Sequence, residues 1–274
     1  MSTGNQMPTL QETMDAFIRQ VLSEETVKVP SPQHVEQCME ALTQYLLHFS
    51  DLFQDQDMFD GDGYADWEDN LESHMAELLQ GDVEPTGDMG MLPLKSLDPE
   101  HLRDFVGWYL LRETGDAELI QTYAKTLKSW VEFIHGHGWW KQNEYLGFAE
   151  ILDHVVPAAI RVARLSQVLF HFVRSGTGVS PRMRGKRFSR FVEGHGRVSE
   201  ITCGCLHLNF ENQGENVGPI ALPQVIIDLI ETGDVFDVEL GLRGDSWVLV
   251  DIGPVYPRCV YVEVEEYQGL KKIS

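Results

Sequence analysis

The hydrophobic period of this chain changes from helical to strand-like once, between about residues 175 and 195, and that change limits the folds open to it. Up to Phe172 apolar residues recur every three or four positions, whereas from Val198 onward they recur every two. The pattern predicts an α+β protein: an all-α N-terminal domain over 1–174, a basic linker over 175–194, and a small C-terminal β-barrel of the SH3 or OB kind over 195–274.

Within the helical part, Leu10, Met14, Phe17, Ile18, Val21 and Leu22 mark a first helix. After Val29-Pro30, Ser31 stands as an N-cap with Pro32 at the first helical position, and Val35, Met39, Leu42, Leu46 and Phe49 form the next stripe. A third helix carries Trp67, Leu71, Met75, Leu78 and Leu79 and stops at Gly81, ahead of an aperiodic loop over 81–96. Asp98-Pro99 opens a helical hairpin whose second arm follows the break at Gly115-Asp116 and carries Leu119, Tyr123, Leu127, Trp130, Val131 and Ile134. The stretch from Tyr145 to Val173 reads as helix, kinked or divided at Pro157. In the C-terminal part, the run from Val198 to Asn209, then Val235–Leu242, Trp247–Ile252 and Cys259–Val264, are expected strands, with turns at Gly233-Asp234 and Gly244-Asp245 and a short helix over Pro223–Glu231.

Charge narrows the partners. The net charge is -22, which opposes attraction to nucleic acid or an anionic membrane unless a local patch overrides it. Such a patch is present: nine of the 21 Lys and Arg residues (Arg161, Arg164, Arg174, Arg182, Arg184, Lys186, Arg187, Arg190, Arg197) lie between 161 and 197, where Glu193 is the one acid. Arg182, Arg184, Lys186, Arg187, Phe188 and Arg190 combine guanidinium groups, which bind phosphate bidentately, with an aromatic ring that can stack on a base. These six residues are the candidate nucleic-acid contacts. The alternative is that the segment lies against the acidic helices and only joins the domains. No leader-like segment or membrane-length apolar run is present, so a cytoplasmic protein without a membrane partner is expected. The four cysteines are too few and too unevenly spaced for a disulfide framework and read as reduced thiols.

The run Leu97-Asp-Pro-Glu-His-Leu-Arg-Asp-Phe105, continued by Ala117–Trp130 and Phe133-Ile-His-Gly-His-Gly138, resembles the core-binding helical domain of phage integrase-type tyrosine recombinases, over 97–138. That resemblance implies a helical unit that grips DNA beside a separate catalytic domain. The catalytic half of the family is not matched, because His171-Phe-Val-Arg174, the nearest likeness to its His-x-x-Arg, falls in a predicted helix immediately before the strands. As a whole the chain resembles bacterial proteins of unassigned activity in which a helical domain precedes a small barrel.

Two further motifs suggest metal chemistry. Counted as a twelve-residue calcium loop from Met58, Asp60, Asp62, Tyr64 (through its carbonyl), Asp66 and Asp69 fall at ligand positions, with Gly63 at the sharp turn. Met58 offers no oxygen, however, and Asp69 is shorter than the usual Glu, which favours an acidic loop stabilising the start of the next helix. Cys203-Gly-Cys205-Leu-His207 places two thiols and an imidazole on one face of an expected strand, soft ligands that could hold zinc with Cys259 as a fourth, although a C-x-C within a strand more often forms a small-residue core face. His135 and His137 are expected to cap a helix end. No Walker loop, nucleophile elbow, dinucleotide fingerprint or zincin motif is present. The chain therefore reads as a non-enzymatic binding or adaptor protein without a cofactor, contacting nucleic acid through its basic segment, or alternatively as a protein-protein interaction module in which that segment is a linker.

Overall fold

The computed structural model describes residues 7–23, 30–50, 52, 89–176, 187–210 and 216–262. The protein is mixed, with helices N-terminal and a five-stranded sheet C-terminal. Its residues divide into two compact units, Met1–His101 with Lys125–Ala149 and Leu102–Ala124 with Glu150–Ser274.

In the first unit, α1 (Leu10–Ser23) and α2 (Pro32–His48) bury most of the stripes the sequence predicts, with Leu10, Met14, Leu42 and Leu46 essentially fully enclosed, whereas Leu22 is exposed and Ile18 and Phe49 are half-buried. The start of α1 is tied by Leu10 N–H to the Leu92 carbonyl (2.8 Å) and by Leu94 N–H to the Pro8 carbonyl (3.1 Å). Ser31 makes no side-chain cap to the backbone; its hydroxyl meets His34 Nδ1 at 2.9 Å instead, so Pro32 alone carries the start signal. The third predicted helix lies outside the described residues.

The next helix runs as α3 (Pro99–Asp104), a π-helical turn (Phe105–Tyr109) and α4 (Leu110–Glu113). Asp98 caps it as expected, accepting from Glu100 N–H at 2.9 Å. At the expected break, Gly115 turns with φ +58° and Asp116 caps α5 (Ala117–Gly136) through Glu118 N–H at 2.8 Å. The last long helix, α6 (Gln142–Arg174), is not divided at Pro157. Pro157 lies on the exposed side with Asp153, whose carbonyl would otherwise take its missing N–H, so the lost hydrogen bond falls where water reaches.

The second unit holds the sheet: β1 (Arg190–Thr202), β2 (Cys205–Asn209), β3 (Asn216–Ala221), β4 (Val235–Arg243) and β5 (Ser246–Tyr256), with a short helix α7 (Gln224–Ile227) between β3 and β4. Each strand has two neighbours, because the order β1-β2-β3-β5-β4 returns to β1 through the β1–β4 ladder. All pairings are antiparallel except β3 with β5, joined through Ile220 and Trp247. Val192, Val198, Leu206, Leu208, Ile220, Val238 and Leu240 point inward. Gly196 makes room for the fully buried Phe210: a Cβ there would come within 2.6 Å of the ring. β3 is a strand that the period-two reading did not name, and Cys259–Val262, expected to be a strand, is turn and irregular chain.

Within this unit the helices brace the sheet. Arg161 of α6 donates to both carboxylate oxygens of Asp234 (2.7 and 2.8 Å) and to the Leu229 carbonyl (2.7 Å), while Glu231 N–H donates to Asp234 Oδ2 at 2.8 Å. Burial opposes the Arg161 charge, but its hydrogen bonds to Asp234 and that carboxylate's charge outweigh the burial and hold the guanidinium ionised. Val255 N–H of β5 donates to Ser166 Oγ at 3.0 Å. Gly107 sits so close to Val155 and Val260 that any side chain there would collide with them.

Candidate functional site

The basic segment reaches the sheet at its last residues. Ser189 donates to the Leu242 carbonyl from both its N–H (2.9 Å) and its hydroxyl (3.2 Å), which ties the residue just before β1 to β4. Phe188 then lies over Gly241, a position only a glycine leaves open, since a Cβ there would stand 2.5 Å from the ring. The Arg243 guanidinium covers the same ring at 4.2 Å, and Phe191 packs beside it at 5.0 Å with the ring planes tilted by 49°. Phe191 remains 51% exposed. At the adjoining rim Arg190 lies over Trp247, 5.8 Å from the ring centroid. Arg187 and Arg190 are exposed.

Phe188, Phe191 and Arg243 therefore gather on one face at this end of the sheet, and Arg190 with Trp247 stands at the same end on the alternate face. Cation–π stacking aligns Arg243 with Phe188, and burial leaves the Arg243 Nε enclosed without a hydrogen-bond partner. Of the sequence candidates, Phe188 and Arg190 stand at this end of the sheet and Arg187 precedes them, exposed, while Arg182, Arg184 and Lys186 lie outside the described residues. The sequence reading missed Arg243 and Trp247. Their signal was the Gly241-x-Arg243 spacing in a strand, which puts an open position and a cation on one face, and the register that sets Trp247 opposite Leu242.

Other members of the basic cluster are spent internally. Arg161 holds Asp234, Arg197 donates to the Gly233 and Val262 carbonyls (3.3 and 3.2 Å), and Arg174 lies over Phe170 on its own helix at 4.9 Å.

Further along the same outer face the charge inverts. Glu193 pairs across to Glu239, and Glu239 to Asp251, which makes a row of three carboxylates across β1, β4 and β5. Burial, then Glu193 and Asp251, push the Glu239 carboxyl above the usual range. Asp237, opposite His195 and resting on Gly253, is raised by burial and by Glu193 and Asp251, while His195 pulls it back. Tyr256, whose ring meets that of His195 edge-on at 6.0 Å, is pushed up to about 12 by burial with a contribution from Asp237.

The Cys203 reading is corrected. Cys203 and Gly204 form the two-residue turn between β1 and β2, with φ of 52° and 78°, so Cys203 does not share a strand face with Cys205 and His207. Among the described residues, no three His, Cys, Asp or Glu side chains gather as they would around a metal ion. Asp60, Asp62, Tyr64, Asp66 and Asp69 lie outside the described residues. At the end of α5, His137 Nδ1 meets the Phe133 carbonyl at 2.9 Å and Gly138 turns with φ +71°, as expected of a helix cap. Among the described residues no helix is long and apolar enough to cross a membrane.

The fold and site together define an α+β protein whose sheet carries an aromatic and cationic end. Compared with known proteins, the chain matches no family model, no curated protein and no solved structure.

Proposed function

We propose that this is a non-enzymatic binding protein that takes single-stranded nucleic acid on the aromatic and arginine-bearing end of its sheet. The observation that carries the reading is the exposed Phe191, packed against the Phe188 ring that Arg243 covers, at the same end of the sheet as Arg190 over Trp247, in a chain whose net charge is otherwise strongly negative. Aromatic rings offer bases a sequence-tolerant stacking surface, and guanidinium groups fix phosphates.

The sheet itself is a small barrel of the OB kind. The order β1-β2-β3-β5-β4, closed by β1 with β4, its single parallel pairing between β3 and β5 and the helix between β3 and β4 favour that arrangement over the SH3 one. The carboxylate row of Glu193, Glu239 and Asp251 repels phosphate, so the strand's path leaves Phe191 by way of Arg190 and Trp247 rather than running down β4.

A labelled, unstructured oligonucleotide followed by fluorescence anisotropy tests the proposal. Phe188→Ala with Phe191→Ala is expected to weaken binding by about 5- to 150-fold, from the roughly 1–3 kcal/mol that stacking one base contributes. Arg187→Ala with Arg190→Ala should weaken it and flatten its dependence on salt. No binding at low salt, or affinity indifferent to both pairs of substitutions, would overturn the reading in favour of a protein partner.

A further inference from the structure

We propose that Cys203 and Cys205 form a redox-active dithiol at the tip of the β1–β2 hairpin, which closes to an intramolecular disulfide by exchange with a small-molecule disulfide. The hairpin turns on two residues, Cys203 and Gly204, between the paired Thr202 and Cys205. Turns with both central φ values positive are served by Asn-Gly or Asp-Gly, because a side chain is crowded in the left-handed region. Here a cysteine occupies that place, and among the described residues it is the one non-glycine with positive φ.

The turn sets the Cα atoms of the two cysteines within the span of a disulfide. Two 3.80 Å steps between Cα atoms, meeting at the roughly 90° bend of a left-handed Gly204, set the Cys203 and Cys205 Cα atoms about 5.4 Å apart. Disulfides span roughly 4.4–6.8 Å. Cys203 is exposed and Cys205 half-exposed, and the burial of Leu206 and Leu208 turns Cys205 to the outer face of β2. The other two cysteines are poor competitors: Cys38 is completely buried, and burial pushes the Cys259 thiol up.

The reaction balances without any other reagent. The Cys203 thiolate attacks one sulfur of the small disulfide, whose S–S bond breaks and releases one thiolate, leaving a mixed disulfide on Cys203. The Cys205 thiolate then attacks the Cys203 sulfur and expels the second small thiolate. The protein gives up two electrons and two protons, and the small disulfide takes them up as two thiols. The inference is independent of what binds the aromatic end of the sheet.

The test uses the full-length folded protein with glutathione disulfide as oxidant, alkylation of remaining thiols, and mass spectrometry of the peptide carrying both cysteines. The expected product is that peptide lighter by two hydrogen atoms, unalkylated at Cys203 and Cys205 and restored by a dithiol reductant, while Cys205→Ser traps glutathione on Cys203. Accumulation of a stable glutathione adduct on wild-type Cys203, or full alkylation of both cysteines, would overturn it. The wild-type result stands whether or not the serine variant folds.

Discussion

At the scale of single residues, the outer face of β1, β4 and β5 carries a contradiction that pH should expose. Glu239 has Glu193 and Asp251 as its cross-strand neighbours, and burial together with those two charges raises its carboxyl above the ordinary glutamate range. A raised acid binds its proton more tightly folded than unfolded, so folding takes up protons across that interval and stability falls as pH rises from the ordinary glutamate value through the raised one. Glu239→Gln removes the penalty. The variant should melt higher than wild type at neutral pH, with the difference closing below the carboxylate range, as followed by thermal unfolding across pH. A variant equal to wild type at every pH would mean that water already screens the row.

At the scale of elements, the ionic brace between α6 and the entrance to β4 centres on one carboxylate. Asp234 is fully enclosed, accepts two hydrogen bonds from Arg161 and one from Glu231 N–H, and stands at the entrance to β4. Asp234→Asn leaves the largely buried Arg161 charge without its main partner and should cost about 3–5 kcal/mol in chemical denaturation. Arg161→Met, which removes the charge rather than stranding it, should cost less. Equal losses would place the energy in packing instead. This brace was not legible in the sequence, because Arg161 and Asp234 are 73 positions apart and an amphipathic helix announces that it has a buried face without naming what covers it. The helices themselves were legible wherever a stripe and a cap coincide, as at Asp98 and Asp116. β3 was not, since Val217 and Ile220 are its buried residues and a register shift between Leu206 and Leu208 of its partner β2 breaks the period of two that the eye follows. The aromatic end was half legible. Phe188 and Arg190 stand in the basic run, whereas Arg243 and Trp247 join them only through the β4 and β5 register.

At the scale of the whole molecule, a chain of net charge -22 that takes a polyanion must do so against its own field. The Debye length is about 30 Å at 0.01 M salt and about 10 Å at 0.1 M. At the lower concentration an approaching strand feels the charge of the entire protein, and at the higher one it feels chiefly the charges near the contact, Arg187, Arg190 and Arg243 with the carboxylate row beside them. The association rate should therefore rise as salt increases from about 0.01 M toward 0.1 M, where screening removes the distant repulsion first, and fall beyond that as the local attraction is screened in turn. Stopped-flow fluorescence with the same oligonucleotide across this range reads the rate directly. A rate that falls monotonically from the lowest salt, as for a basic nucleic-acid-binding protein, would show that the cationic end dominates the field at all distances. A rate that rises without a maximum would remove phosphate attraction from the encounter and leave stacking on Phe188, Phe191 and Trp247 as the source of affinity.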